Sequence, residues 1–155
     1  ETEMKVIIEL EKQKIASINL QARREILQKQ EEGIKQAFSL AEEELKKFTT
    51  TADYVNILQA LILEAGVAIG GGNLIIKTRK EDAAKIKDLT ALAKQISSLS
   101  GENCSLKFSK EPIQTIGGVI LTTEDQTITI NNTFASRLKK NYRTIRTEVA
   151  KTLFE

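Results

Sequence analysis

Apolar positions in the first fifty residues recur every eleven: Met4, Ile15, Ile26, Ala37 and Phe48 form one ladder. Ile7 and Ile8, Ile18 and Ala22, and Leu40 and Ala41 stand beside it. A seven-residue ladder begun at Ile8, Ile15 and Ala22 runs into Lys29 and Gln36, so the heptad fails where the longer spacing survives. No proline and only one glycine, Gly33, interrupts the stretch, and Ala, Leu, Ile, Glu, Gln, Lys and Arg dominate it. That composition predicts one helix over residues 1–50, roughly 75 Å long at about 1.5 Å per residue. A repeat of eleven gives about 3.67 residues per turn, slightly more than a straight helix, so a helix pair keeping this seam in contact winds right-handedly or runs nearly straight. Met4, Ile8, Ile15, Ile18, Ala22, Ile26, Ala37, Leu40 and Phe48 are the expected contact positions. A domain of this size has no interior long enough to cover such a helix, which points to a second, different chain as its cover. The third repeat is weak, with Lys29, Gln30 and Gly33 where apolar companions belong, and the seam is expected to loosen there.

Thr49, Thr50 and Thr51 end the helical composition, which sets a boundary between an arm, residues 1–50, and a globular part, residues 51–155. Asp53 then opens a helix with Tyr54, Ile57, Leu58, Leu61, Ile62 and Ala65 on its apolar face, closed by Gly70, Gly71 and Gly72. Leu74 to Ile76 read as a short strand. Glu81 and Asp82 stand in the first turn of the next helix, where negative charge suits the dipole; Ile86, Leu89, Ala93 and Ile96 form its buried face and Gly101 ends it. Cys104, Leu106 and Phe108 alternate with polar residues as a half-buried strand does. Gly117-Gly118 leads into Val119 to Leu121, and a turn at Asp125-Gln126 into Ile128 and Ile130, which predicts a β-hairpin. A last helix starts near Asn132-Thr133 and carries Phe134, Leu138, Tyr142, Ile145, Val149 and Leu153 as one apolar stripe, expected to be taken up by the domain's own core. The expected fold is α+β: a long N-terminal coiled-coil helix followed by a small domain with a mixed sheet of about four strands, packed by helices.

The chemistry available is narrow. Among 155 residues there is no His and one Cys, with 23 basic and 21 acidic side chains for a net charge of +2. Lacking His, the chain lacks the commonest metal ligand and the commonest general base near neutral pH. Cys104 has no partner for an internal disulfide and no activating neighbour in sequence, which fits a small core residue and a reducing, intracellular setting. No apolar run approaches the roughly 20 residues of a membrane span, so a soluble protein is expected. Gly70 to Gly72 lie between a helix and a strand, the reverse of the phosphate-loop order, and no Lys-Ser or Lys-Thr follows them. Scattered carboxylates form no metal or acid-base pattern, so no catalytic residue, cofactor or metal is expected. Asn131-Asn132-Thr133 fits the glycosylation pattern formally and reads better as a helix cap. The one basic surface lies on the last helix: Arg137, Lys139, Lys140, Arg143, Arg146 and Lys151 against Glu148 give +5 over residues 134–154. Interleaved aromatics are missing there, which disfavours nucleic acid and favours an acidic partner surface.

Taken in order, GGVILTTEDQTITINNTFASRL and RTIRTEVAKTLF resemble the C-terminal signature of the E subunit of the archaeal and vacuolar-type rotary ATPases. In that family two glycines open a strand, a turn leads to a second strand, an Asn-Thr pair starts the final helix, Arg-Leu follows and Leu-Phe ends it. The matching positions are Gly117, Gly118, Asn132, Thr133, Arg137, Leu138, Leu153 and Phe154. The resemblance covers essentially the whole chain, since the family also has a long N-terminal helix with right-handed periodicity. Asp125-Gln126 departs from the usual Asp-Gly turn, and Asn131 stands where an Asp is common. The resemblance implies a non-catalytic peripheral-stalk, or stator, subunit on the cytoplasmic side of the membrane. It implies a heterodimeric right-handed coil with a second long-helix subunit, a grip on the catalytic head, and a membrane-sector neighbour near the arm's N-terminus. Lys139, Lys140 and Arg143 are the candidate head contacts. A stator of a flagellar or secretion ATPase shares this layout. A basic-helix nucleic-acid binder would show steep salt dependence, and a Lys/Asp hydrolase would need a pocket that the sequence does not announce.

Overall fold

An unbroken run of strong helix formers holds α1 (Thr2–Phe48) as a single helix of 47 residues. The structure is a computed structural model and describes residues 2–155. Three threonines stop α1 by chemistry: the hydroxyls of Thr49, Thr50 and Thr51 donate to the carbonyls of Lys46, Lys47 and Phe48 at 2.7–2.8 Å, so acceptors that the helix leaves open are satisfied locally. After it come α2 (Asp53–Ile69), β1 (Gly72–Lys77), α3 (Lys80–Lys85), α4 (Leu89–Ser100), β2 (Cys104–Phe108), β3 (Gly118–Thr123), β4 (Thr129–Thr133), α5 (Phe134–Lys140) and α6 (Tyr142–Phe154). The chain forms two compact units, one of residues 1–40 with 144–155, the other of residues 41–143.

In the unit of residues 41–143 the sheet is mixed, ordered β2-β1-β3-β4, with β1 parallel to β2 and antiparallel to β3, and β3 antiparallel to β4. Alternation along the strands puts Leu74, Ile76, Leu106, Val119 and Leu121 into one buried layer with Leu58, Ile62 and Ala65 of α2 and Leu92, Ala93 and Ile96 of α4. Two helices expected as single pieces are each divided. Residues 81–100 break at Ile86 to Asp88 because the Asp88 side chain accepts from the Ala91 N–H at 2.9 Å and caps α4. The last helix breaks at Asn141, whose main-chain N–H and side-chain amide both bond to the Arg137 carbonyl. The hairpin turn closes without a glycine: Gln126 takes a left-handed φ of +59°, and Asp125 accepts from the Thr127 N–H and hydroxyl.

In the unit of residues 1–40 and 144–155, α6 lies against α1. Ile34 is buried, Arg146 pairs with Glu31, and a Cβ on Gly33 would stand 3.3 Å from the Phe154 ring. Ala37 shares a groove with Ile145, Val149 and Leu153. This corrects two expectations. The apolar stripe of the last helix is taken up by the sheet domain's core only at its start, where Phe134 packs against it: neither α5 nor α6 holds a fully buried residue, and Leu153 and Phe154 stay 50% and 44% exposed. The arm, expected to lack any internal cover, has one at its weak third repeat, where glycine makes room for an aromatic ring. Residues 3–29 are exposed throughout.

Candidate functional site

Tyr54, placed by its spacing on the apolar face of α2, is fully buried and gathers polar groups from distant parts of the chain. Its hydroxyl donates to Asp82 Oδ2 and accepts from the Gly118 N–H, both at 2.9 Å. Asp82, also 0% exposed, receives Arg79 through Nε and Nη2 at 2.8 Å each, and Lys85 Nζ stands 3.6 Å away. That lysine donates to the Thr49 carbonyl at 2.7 Å and lies 5.0 Å from the Tyr54 ring centre. Phe48 and Phe134 meet the ring edge-on at 6.0 and 5.8 Å. One side chain thus ties the end of α1, the entry to α3, the start of β3 and the start of α5. The only sequence signal for it was a tyrosine inside an apolar stripe, whose hydroxyl must find a partner when buried. Asp82, expected to act on the helix dipole, instead points inward.

Burial pushes the Tyr54 hydroxyl up from its ordinary value near 10 to about 12; the Gly118 amide opposes this and Asp82 reinforces it. An unfolded chain sheds this proton near pH 10 and the folded chain near 12, so the folded form holds more protons between them. The resulting stabilisation, about 2–3 kcal/mol, is fully present below about pH 10 and lost as pH rises toward 12. Urea midpoints of the native chain and Tyr54→Phe should therefore converge between about pH 10 and 12. Parallel curves would show that the phenol titrates normally.

The residues of the Gly-Gly and Asn-Thr signature converge beside this hub. The Gly117 carbonyl accepts the Phe134 N–H at 3.0 Å and the Gly118 carbonyl accepts from Thr78 Oγ1 at 3.1 Å. Gly118 pairs with Thr133 and Val119 with Asn132 across the hairpin. Asn132, buried, donates through Nδ2 to the Leu61 carbonyl at 3.2 Å, and Thr133 caps α5 by accepting from the Ser136 N–H. Asn131 Oδ1 accepts from the Thr133 N–H and hydroxyl, a task for an acceptor oxygen that Asn supplies as well as Asp. Arg137 Nη1 reaches both Glu64 oxygens at 2.9 and 3.1 Å. Leu138 is half-buried on α5, whereas Leu153 and Phe154 lie in the other compact unit. The signature residues from Gly117 to Arg137 thus fasten the hairpin and α5 to α2.

The remaining candidates lie on the surface. Lys139, Lys140 and Arg143 are exposed at the end of α5 and the start of α6. Of the arm positions, Met4, Ile8, Ile15, Ile18, Ala22, Ile26 and Leu40 are exposed, while Ala37 and Phe48 are partly covered. The amides of Gly70 and Gly71 are spent on the Gly66 carbonyl and that of Gly72 on the Asn103 carbonyl, so the three-glycine run offers no anion cradle. Burial raises the Cys104 thiol, which disfavours the reactive thiolate. Among the described residues no three His, Cys, Asp or Glu side chains are placed to hold a metal ion, and no single helix is long and apolar enough to cross a membrane.

A long helix carrying an exposed apolar face, joined to a small α+β domain with a mixed four-stranded sheet, defines the class of chain. Residues 1–154 match the family of the ATP synthase (E/31 kDa) subunit, and the chain belongs to that family. It is 40% identical over 138 residues to the A-type ATP synthase E subunit of Methanothermobacter thermautotrophicus, covering 88% of this chain and 66% of the relative. The same-named proteins of Methanobrevibacter smithii and Thermococcus sibiricus are 38% and 33% identical, over 91% and 94% of this chain and 69% and 72% of theirs. The chain thus spans about two thirds of the length of these relatives.

Proposed function

We propose that this chain is a non-catalytic peripheral-stalk subunit of an A-type or V-type proton-translocating ATP synthase or ATPase, joining the catalytic head to the membrane sector from the cytoplasmic side. The observation that carries the reading is the arm: among exposed large apolar side chains, eleven from Met4 to Leu40 lie on α1. At roughly 1.5–3 kcal/mol for each such side chain fully buried, covering even half of them offsets the roughly 4–15 kcal/mol cost of association. The eleven-residue ladder among them, Met4, Ile15 and Ile26, suits a second long helix in a right-handed coil. A stator resists torque while the rotor turns, a task for a stiff helix pair with a folded grip that asks for no reacting group. The membrane-sector neighbour belongs near the N-terminus of the arm. The head belongs at the sheet domain, with Lys139, Lys140 and Arg143 as rim contacts to acidic groups.

Two variants of the full chain test this separately. Ile8→Asp with Ile15→Asp should weaken association with the long-helix stalk subunit of the same complex by about 100-fold or more, through loss of apolar burial and desolvation of two carboxylates. Thermal unfolding of residues 41–143 should stay unchanged. Lys139→Glu, Lys140→Glu and Arg143→Glu together should slow association with the head about tenfold at low salt and less at moderate salt, as rim charges do. Unchanged pairing of the arm after the first pair of substitutions removes the coil from the reading. Head association insensitive to charge reversal at both salt levels removes this basic surface from it.

A further inference from the structure

β2 is an outer strand of the sheet, and its register determines which backbone groups face outward. The Gly72 N–H bonds to the Asn103 carbonyl and the Ser109 N–H to the Ile76 carbonyl, both at 2.8 Å. In a parallel ladder with Gly72 opposite Cys104 and Ile76 opposite Phe108, those bonds direct the main-chain groups of residues 103, 105, 107 and 109 toward β1. The groups of Cys104, Leu106 and Phe108 therefore point to the open edge. The Cys104 N–H finds Ser97 Oγ at 2.8 Å; among the described residues the Leu106 and Phe108 amides have no hydrogen-bond acceptor.

A cleft flanks this edge on each side. One of about 330 Å³ is lined by Ile76, Ala83, Phe108, Lys80 and Lys110, and one of about 240 Å³ on the helix-free face by Ile75, Ser105 and Lys107. Glu124 stands in the second cleft and is held by Asn73 Nδ2 at 3.1 Å. Arg79 and Lys85 are committed to Asp82, whereas Lys80, Lys107 and Lys110 form no ion pair among the described residues.

We propose that the β2 edge is a docking site for an extended acidic segment of another subunit, added as a fifth strand; this rests on the reading above that other subunits hold the sheet domain. Main-chain bonds to Leu106 and Phe108 would supply the pairing. Successive side chains of an added strand point to opposite faces, so an acidic side chain can enter each cleft in turn beside its lysines. A second copy of this chain is disfavoured, because pairing two β2 edges brings the lysines of both copies together along one short ladder, and lysines on an edge are a known guard against self-pairing. The same charges that repel a like edge attract an acidic one.

Hydrogen exchange of the full chain, free and assembled with the other subunits of the ATP synthase, tests this directly. In the free chain the Leu106 and Phe108 amides should exchange much faster than those of Ser105 and Lys107, and on assembly they should slow at least tenfold. Lys107→Glu with Lys110→Glu should weaken association at least tenfold, and Lys107→Arg with Lys110→Arg should restore it, with melting temperatures confirming that all variants fold. Association with these two amides exchanging as in the free chain, or unaffected by the charge reversal, overturns the edge proposal while leaving the stalk reading intact. A native chain that associates with no subunit of the complex overturns the stalk reading and this inference together.

Discussion

Asp82→Ala should destabilise the unit of residues 41–143 by roughly 3–5 kcal/mol, the usual cost of removing one member of a buried, hydrogen-bonded ion pair. The size follows from what is left behind. Arg79 is held by both carboxylate oxygens and the Tyr54 hydroxyl donates to one of them, so deletion strands a largely buried guanidinium and a buried phenol together. Lys85 retains the Thr49 carbonyl and loses only its more distant charge partner. Asp82→Asn keeps the volume and one acceptor oxygen, and should cost less, about 1–3 kcal/mol, because the Tyr54 bond survives while Arg79 keeps only the exposed Glu81 carboxylate, 3.7 Å away, as a charge partner. Combining Arg79→Met with Asp82→Ala should recover part of the loss, since the stranded cation is then gone. Urea unfolding with an unchanged denaturant slope is the measurement. Equal costs for Asp82→Ala and Asp82→Asn would mean that Tyr54 draws nothing from the carboxylate.

How much of this was legible beforehand depended on whether the cause was local. The strand at Leu74 to Ile76, the alternation from Cys104 to Phe108 and the hairpin after Gly118 were readable because side-chain alternation and turn chemistry act over a few residues. The break at Asp88 carried a readable sign, an Asp three residues before the Ala91 amide it caps, but the apolar spacing across Ile86, Leu89 and Ala93 outweighed it. Asn141 was masked in the same way by the stripe running from Leu138 to Ile145. The Tyr54 hub was out of reach for another reason: its partners stand 28 and 64 residues away along the chain, and periodicity carries no information about which distant backbone amide meets a buried hydroxyl. Gly33 shows the opposite case. Read as a flaw in the arm's seam, it is the position over which Phe154 sits, so an irregular repeat marked a contact within the chain.

Gly118→Ala should cost about 2–5 kcal/mol, and the reason separates into two parts that a second glycine can isolate. Gly118 has φ of +93°, and an added Cβ would stand 2.5 Å from the Asn132 carbonyl oxygen and 2.7 Å from Thr133 Cα. The left-handed conformation alone costs an alanine about 1–2 kcal/mol. The contacts are with backbone atoms of the paired strand β4, which cannot rotate away as a side-chain tip can, and forcing them apart adds about 1–3 kcal/mol. Gly70 has a similar φ of +99° with nothing within 4 Å of its added Cβ, so Gly70→Ala should show the conformational cost only, about 1–2 kcal/mol. The excess at Gly118 should also reach the candidate head contacts: α5, which carries Lys139 and Lys140, begins at Phe134, whose N–H hangs on the Gly117 carbonyl. Amide exchange in the first turn of α5 should therefore quicken in Gly118→Ala and not in Gly70→Ala. If the two variants lose equal stability, the pairing of Gly118 with Thr133 is looser than described, and the Gly-Gly pair serves only to turn the chain into β3.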